Sequence, residues 1–144
     1  MATGAAASQA AQGKTQQQQP QARDKGPGSV AGNLTKDPEL RYTSNGRPVC
    51  NLRVACSERV RNEQSGQWED GPTAFYDVQC WGALAEHVTE HLAKADRIVA
   101  EGRWMESDYT NDQAVTVTRV YLQARDLGPS MIFRGARPVR KEGR

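Results

Sequence analysis

The sequence predicts a mostly β domain with a single helix, and three observations support this fold class. Apolar and polar residues alternate in several short runs, which is the period of a half-buried strand. One apolar stripe at helical spacing lies between the third and fourth of these runs. The resulting order, β-β-β-α-β-β, is that of a five-stranded OB-fold barrel.

The first two strands differ in strength. Residues 29–34 make a weak first strand, whereas the run 49–57 alternates without a break. The second run is preceded by Asn45-Gly46, which is a turn signal. We expect its core-facing residues to be Cys50, Leu52, Val54 and Cys56.

The third strand covers 75–81, and Gly82 ends it. Because successive side chains of a strand point to opposite faces, this run has two distinct sides. We expect the core side to carry Tyr76, Val78 and Cys80. The other side then carries Phe75, Asp77, Gln79 and Trp81.

The helix is predicted over 83–94, and two more strands follow it. Alternating runs at 98–104 and 118–122 predict the fourth and fifth strands. Pro129 interrupts the pattern, and 131–133 form a last short apolar patch. The apolar stripe of the helix consists of Leu84, Val88, Leu92 and Ala95.

The two ends of the chain differ in composition from the predicted barrel, which occupies 29–133. Residues 1–28 hold seven Gln and seven Ala, so we expect a disordered arm that lacks the apolar area to fold. Residues 134–144 are predicted to form a disordered basic tail. No apolar run reaches the roughly 18 residues of a membrane helix, and no secretory signal is present, so we expect a cytoplasmic, nucleoid-associated protein.

The charge is unevenly distributed along the chain. The net charge is +2 overall, but 29–133 carry 11 basic and 15 acidic residues, a balance of −4. The basic character therefore belongs to the two ends. Nucleic-acid binding by the barrel cannot be argued from net charge and has to be argued from particular side chains.

The side of the third strand that bears Phe75 and Trp81 is the strongest functional signal in the residues themselves. Aromatic rings displayed among polar groups are stacking platforms for bases. Tyr109, in the loop after the fourth strand, and Trp68, in a long hairpin loop over 59–73, could add to the platform. The alternative is that Phe75 and Trp81 are covered by a second layer of core or by another subunit.

Two patterns suggest other chemistry, and neither develops into a site. His87 to His91 fit the zinc pattern H-x-x-E-H, but the chain has no further His to complete the ligand set, and we expect His91 to be a partly buried structural residue. Cys50 and Cys56 lie too far apart along one strand to pair, so we expect core thiols. Phosphate-binding glycine motifs are missing as well. We therefore expect no enzyme, no cofactor and no metal.

Several ordered motifs resemble bacterial and phage single-stranded DNA-binding proteins. They are Gly32-Asn33-Leu34-Thr35-Lys36-Asp37-Pro38-Glu39-Leu40-Arg41-Tyr42, Trp81-Gly82-Ala83-Leu84-Ala85-Glu86, Ile98-Val99-Ala100-Glu101-Gly102-Arg103 and Asp126-Leu127-Gly128-Pro129-Ser130. The resemblance covers about 29–133. It implies an OB fold, usually tetrameric, that binds single-stranded DNA during replication, recombination and repair, without a catalytic site.

The resemblance also implies residue roles. Phe75, Trp81 and Tyr109 match three of the family's stacking aromatics, while Val60 stands where a fourth usually lies. Trp68 is the nearby candidate to replace it. Our candidates for phosphate contacts are Arg41, Arg53, Arg59, Arg61, Lys94 and Arg103.

Several features depart from the family pattern. The family's first strand is normally a continuous apolar run, whereas this chain reads Lys25-Gly26-Pro27-Gly28-Ser29-Val30 there. Pro and Gly weaken a strand, and because this strand often joins subunits in the family, tetramer formation is called into question. Four residues stand where many members of the family carry basic or neutral polar groups, and fewer phosphate contacts are expected. The basic end lacks the family's acidic tip, so recruitment of replication proteins through such a tip is expected to be absent. The departing positions are Asp77, Met105, Ser107 and Asp108.

The sequence thus leaves two interpretations of function. The first is a single-stranded DNA-binding protein without sequence specificity. The second is an OB-fold protein-interaction module whose DNA binding is weakened by its acidic barrel.

Overall fold

A computed structural model describes residues 22–140, and across them the chain forms six strands and one helix. The predicted mostly β class with one helix is confirmed. The elements are β1 (Arg23–Leu34), β2 (Leu40–Tyr42), β3 (Pro48–Arg61), β4 (Trp68–Trp81), α1 (Ala83–His91), β5 (Arg97–Thr110) and β6 (Thr116–Pro129).

The sheet closes on itself. Its strand order is β1-β5-β6-β4-β3-β2, and β1 also pairs with β3 at Asn33↔Ala55 and Leu34↔Val54. All these pairings are antiparallel except that of β4 with β6, which are parallel at Val78↔Leu122. The short β2, which pairs with β3, is missing from the sequence prediction because three residues are too few to show a period. The predicted barrel is present with this one extra strand.

The core lies inside the barrel, and α1 covers one end of it. Ala85 and Val88 of the helix are buried against the strands, as the helical stripe predicts. The sequence places Tyr76 in the core, but it is 40% exposed, because the buried part of β4 begins only at Val78; the ring of Tyr76 packs against that of Trp104. The fully buried larger side chains are Ile98, Leu122, Val54, Val78, Cys50 and Cys80.

The strand β1 is longer than the sequence predicts. Residues 23–28 belong to the predicted disordered arm, yet they pair with β5. Gly28 is required rather than disruptive, because a Cβ there would clash with the indole of Trp104. Gly26 has φ 110°, a value that favours glycine, and it lies next to a bulge in β1. The remainder of the predicted arm, 1–21, lies outside the described residues.

Two ion-pair clusters tie the start of β1 to β5. Arg23 lies 3.0 Å from a carboxylate oxygen of Glu106 and 3.1 Å from one of Asp108. Asp24 accepts hydrogen bonds from Nε of Arg103 at 3.0 and 3.1 Å, and this contact lowers the pKa of Asp24. The hydrogen bond from Arg23 likewise lowers the pKa of Asp108. Side chains distant in sequence therefore compensate for the weak strand propensity of β1.

The helix α1 is shorter than the predicted 83–94. It ends at His91, because Leu92 adopts extended backbone angles and Ala95 has φ 78°. The turn that follows is held by side chains: carboxylate oxygens of Asp96 and Asp37 accept hydrogen bonds from the backbone N–H groups of Ala93 and Lys94. Within the described part of the chain, no helix is long and apolar enough to cross a membrane.

Candidate nucleic-acid interface

The outer face of the barrel is the side of β3, β4, β5 and β6 that points away from the core. Directly paired residues of neighbouring strands share a face. The pairs Arg53↔Asp77 and Ala55↔Phe75 therefore place Phe75 and its neighbours together on this face. The outer face also carries Val49 on β3, Gln79 and Trp81 on β4, Arg119, Tyr121 and Gln123 on β6, and Arg103 and Tyr109 on β5.

Phe75 and Trp81 are both accessible on the outer face. Phe75 is 50% exposed, and Trp81 is partly buried, so neither ring belongs to the buried core. The indole Nε1 of Trp81 donates to Oε1 of Gln79 at 2.8 Å. The side chain of Gln79 in turn donates to Oδ1 of Asn51 at 3.3 Å. These bonds hold the indole in a defined orientation.

Arginines lie over three aromatic rings of the outer face, two of them on the predicted platform. The guanidinium carbon of Arg53 lies 5.3 Å from the ring centre of Phe75. That of Arg47 lies 4.5 Å from the ring centre of Trp81. On β6, Arg119 covers Tyr121 at 5.0 Å. A guanidinium stacked on a ring is held in place by the ring's negative face and presents its N–H groups to a phosphate.

The sequence analysis missed Arg47, Arg119 and Tyr121 as members of this face. Arg119 carried a signal, since it alternates with the apolar residues of the fifth predicted strand and so points outward. Arg47 follows the turn at Asn45-Gly46 and lies outside every alternating run, so only the folded structure reveals its contact with Trp81.

Asp77 lies at the centre of the outer face, between two arginines. Its Oδ1 is 3.1 Å from Nη1 of Arg53, and its Oδ2 is 3.9 Å from Nε of Arg119. The two arginines come from strands on either side of β4. The carboxylate therefore contacts an arginine of each neighbouring strand, β3 and β6, next to the ring of Phe75.

A bulge in β4 brings Trp68 to the outer face. Between Ser57↔Thr73 and Arg59↔Asp70, β4 advances by one residue more than β3, at Gly71-Pro72. Trp68 consequently pairs with Arg61. Arg61 is an even number of residues from Arg53 on β3, so the two side chains point to the same face. Trp68 is 60% exposed. The predicted loop over 59–73 is wrong, because only 62–67 separate the two strands.

Tyr109 belongs to a strand and not to the predicted loop. It lies near the end of β5, opposite Val117, and is 49% exposed. Tyr109 is an even number of residues from Arg103 on β5, so it lies on the outer face, close to the turn that joins β5 to β6. The structure therefore groups Phe75, Trp81, Tyr109 and Trp68 on one side of the barrel.

Most of the predicted phosphate-binding arginines already contact a carboxylate. Arg41 pairs with Glu39 at 3.2 Å, Arg59 with Asp70 at 3.0 Å and Arg103 with Asp24 at 3.0 Å. Within 22–140, no carboxylate lies at ion-pair distance from Arg61 or Lys94. Lys94 follows α1 and is not brought to the outer face. Arg41 lies beside Val49, the partner of Trp81, and so extends the platform toward β2.

The residues considered for other chemistry do not form a site. His87 and His91 are exposed, so the expectation of a partly buried His91 is wrong. In residues 22–140, no group of three His, Cys, Asp or Glu side chains could hold a metal ion. Burial raises the pKa of the Cys80 thiol to about 12 and also raises those of Cys50 and Cys56, which suits inert core thiols.

Comparisons with known proteins point to one family. A model of the single-strand binding protein family matches residues 28–130. A single-stranded DNA-binding protein of Paenarthrobacter nicotinovorans is 37% identical over 114 residues, which cover 79% of this chain and 67% of that protein. One from Mycobacterium leprae is 36% identical over 109 residues, which cover 76% of this chain and 65% of that protein. The chain thus spans about two thirds of the length of these curated relatives.

A solved structure is similar as well. The crystal structure of a small single-stranded DNA-binding protein from Streptomyces coelicolor matches with a TM-score of 0.61 at 25% identity. The match covers 73% of this chain and 94% of that one.

Proposed function

The chain belongs to the single-strand binding protein family and is a DNA-binding protein rather than an enzyme, and we propose that it holds single-stranded DNA on its outer face without reading the sequence. The observation that carries this proposal is the placement of Phe75 and Trp81 on one accessible face, each with an arginine stacked on its ring. By the same family membership, the protein acts in DNA replication, recombination and repair.

The proposed mechanism combines two contacts that are indifferent to sequence. Every base has a π-face, so a base stacks on Phe75 or Trp81 whatever its identity, with about 1–3 kcal/mol from each stack. The guanidinium groups of Arg53 and Arg47 lie over these rings, so they move aside for the stacking bases and meet the phosphates between them. The outer face offers rings and charges, which do not distinguish one base from another.

The length of the face suits an extended strand. Phe75 and Trp81 are six residues apart on β4, roughly 20 Å by the rise of a strand. We propose that DNA runs along β4 from Trp81 past Phe75 and continues beyond it, where Trp68 lies at the start of β4 and Tyr109 lies near the same end on β5. Trp68 then replaces the aromatic residue that is missing at Val60.

The test is the double variant Phe75→Ala, Trp81→Ala. Loss of two stacks is expected to weaken binding to oligo-dT by about 5- to 150-fold for each stack. The matched control is Tyr42→Ala, since Tyr42 is an exposed aromatic on β2 whose partner Pro48 places it off the outer face. Fluorescence anisotropy of a labelled oligonucleotide measures the affinity of the double variant and of the control.

Wild-type affinity in the folded double variant would contradict the site. A stable complex with another protein, in a chain that fails to bind oligo-dT at all, would favour the protein-interaction module instead.

We also propose that the protein works as a homo-oligomer, a tetramer by resemblance. Over 23–32, β1 pairs with β5 on one side, while its pairing with β3 is limited to Asn33 and Leu34. An edge strand with free backbone groups is a template for pairing with a second copy. Sedimentation velocity is expected to give the mass of four chains, and a monomer at all concentrations would contradict the proposal.

A further inference from the structure

The position of Asp77 creates a conflict with phosphate binding. Its two carboxylate oxygens contact Arg53 and Arg119, and these two arginines flank the part of the outer face that carries Phe75. A phosphate of a strand stacked on Phe75 approaches the same guanidinium groups. A carboxylate and a phosphate are both anions that suit a guanidinium fork, so they compete for it.

We propose that Asp77 is an affinity-limiting residue, which occupies Arg53 and Arg119 in the free protein and must release at least one of them when DNA binds. This proposal rests on the proposed function of the outer face. In the free protein, Asp77 neutralises part of the positive charge of the two arginines, and its own charge repels the incoming phosphate.

The geometry supports exchange rather than a permanent structural ion pair. The side chains of Arg53, Arg119 and Asp77 are 52%, 36% and 29% exposed, so water and a phosphate can reach all three. Ion pairs this exposed contribute little to stability, and the arginines can leave the carboxylate at small cost. The ring contact with Tyr121 keeps the guanidinium group of Arg119 on the face when it leaves the carboxylate.

The arrangement also sets how binding depends on salt. Each phosphate newly neutralised on a single strand adds about 0.7 to the slope of log K against log salt. An arginine that moves from Asp77 to a phosphate breaks an ion pair inside the protein. The gain in salt slope from the neutralised phosphate is therefore partly cancelled by the charge left on Asp77. The wild type is therefore expected to have a shallow slope for a face with this many arginines.

The test is Asp77→Asn, which keeps the shape and an acceptor oxygen for Arg53 but removes the charge. Its affinity for oligo-dT is expected to rise about fivefold at about 50 mM salt, the effect of removing one nearby like charge. The salt slope is expected to steepen by about 0.7 for one released arginine and by about 1.4 for two.

Glu101→Gln is the matched control. Glu101 pairs with Arg125 at 2.7 Å, so the variant removes the same charge from another arginine–carboxylate pair. Within residues 22–140, Arg125 lies over no aromatic ring, unlike Arg53 and Arg119. A change of less than about twofold is expected, because only the overall charge differs.

A further variant tests whether Asp77 limits the affinity through Arg119. In the Asp77→Asn background, Arg119→Gln is expected to remove much of the rise in affinity and to lower the slope again. If Asp77→Asn does not fold, Arg119→Gln in the wild-type background takes its place, and there it is expected to leave the salt slope nearly unchanged, because Arg119 is already neutralised by Asp77.

The outcomes separate this proposal from the proposed function. If the Phe75→Ala, Trp81→Ala variant loses binding while Asp77→Asn binds with wild-type or lower affinity, the role of Asp77 is overturned and the binding face stands. If the double variant binds as well as wild type, the face itself is wrong. A drop of about 0.7 in the salt slope of Arg119→Gln alone would also overturn the competition between Asp77 and phosphate.

Discussion

At the scale of single residues, the outer face is built from repeated combinations of an arginine and a ring. Arg53 and Arg47 place a charge over the accessible rings of Phe75 and Trp81, and Arg119 does the same over Tyr121, which is itself buried. That combination suits a ligand that alternates flat bases with phosphates. Strand alternation predicted the outward positions of Phe75 and Trp81, and Arg119 carried the same signal, whereas the contacts between the arginines and the rings were not predictable, since they depend on which side chains meet across strands.

Gly28 provides a residue-scale prediction. Gly28→Ala is expected to lower the free energy of unfolding by about 1–3 kcal/mol, because the new methyl group displaces the indole of Trp104. Gly128→Ala is the matched control, since nothing lies within 4 Å of a Cβ at that position. Urea unfolding followed by tryptophan fluorescence measures both variants, and equal stability of Gly28→Ala and wild type would contradict the close packing of β1 on Trp104.

At the scale of elements, the barrel strands were predictable where their alternation is regular. The central parts of β3, β4 and β5 and the start of α1 match the sequence prediction, because each buries a periodic apolar side. Their ends do not match. The hairpin of β3 and β4 extends through polar residues to Arg61 and Trp68, where cross-strand contacts replace burial as the source of order.

The strand β1 shows why local signals mislead at this scale. Pro27 and Gly28 weaken a strand in isolation, yet both lie in a regular pairing with β5. The compensation comes from Trp104, Glu106 and Asp108, which are far away in the sequence. A single sequence does not reveal such pairings, and the same is true of the bulge that turns Trp68 to the outer face.

At the scale of the whole molecule, charge is organised locally rather than overall. The segment 29–133 has an excess of acidic residues, yet the outer face carries arginines at three aromatic rings. Many of the arginines are matched by carboxylates, among them Asp77, Asp70 and Asp24. Binding of DNA by this barrel is therefore expected to depend more on stacking and less on counterion release than in a strongly basic protein.

The measurement that tests this most directly is tryptophan fluorescence during titration with oligo-dT, at about 20 mM and about 300 mM salt. Quenching that persists at the higher salt is expected, because bases stack on Trp81. Trp81→Phe keeps a stacking ring but removes the fluorescence of Trp81, so it is expected to bind oligo-dT with reduced quenching, the rest of which comes from Trp68. Quenching confined to the lower salt, or absent at both, would contradict base stacking on the outer face.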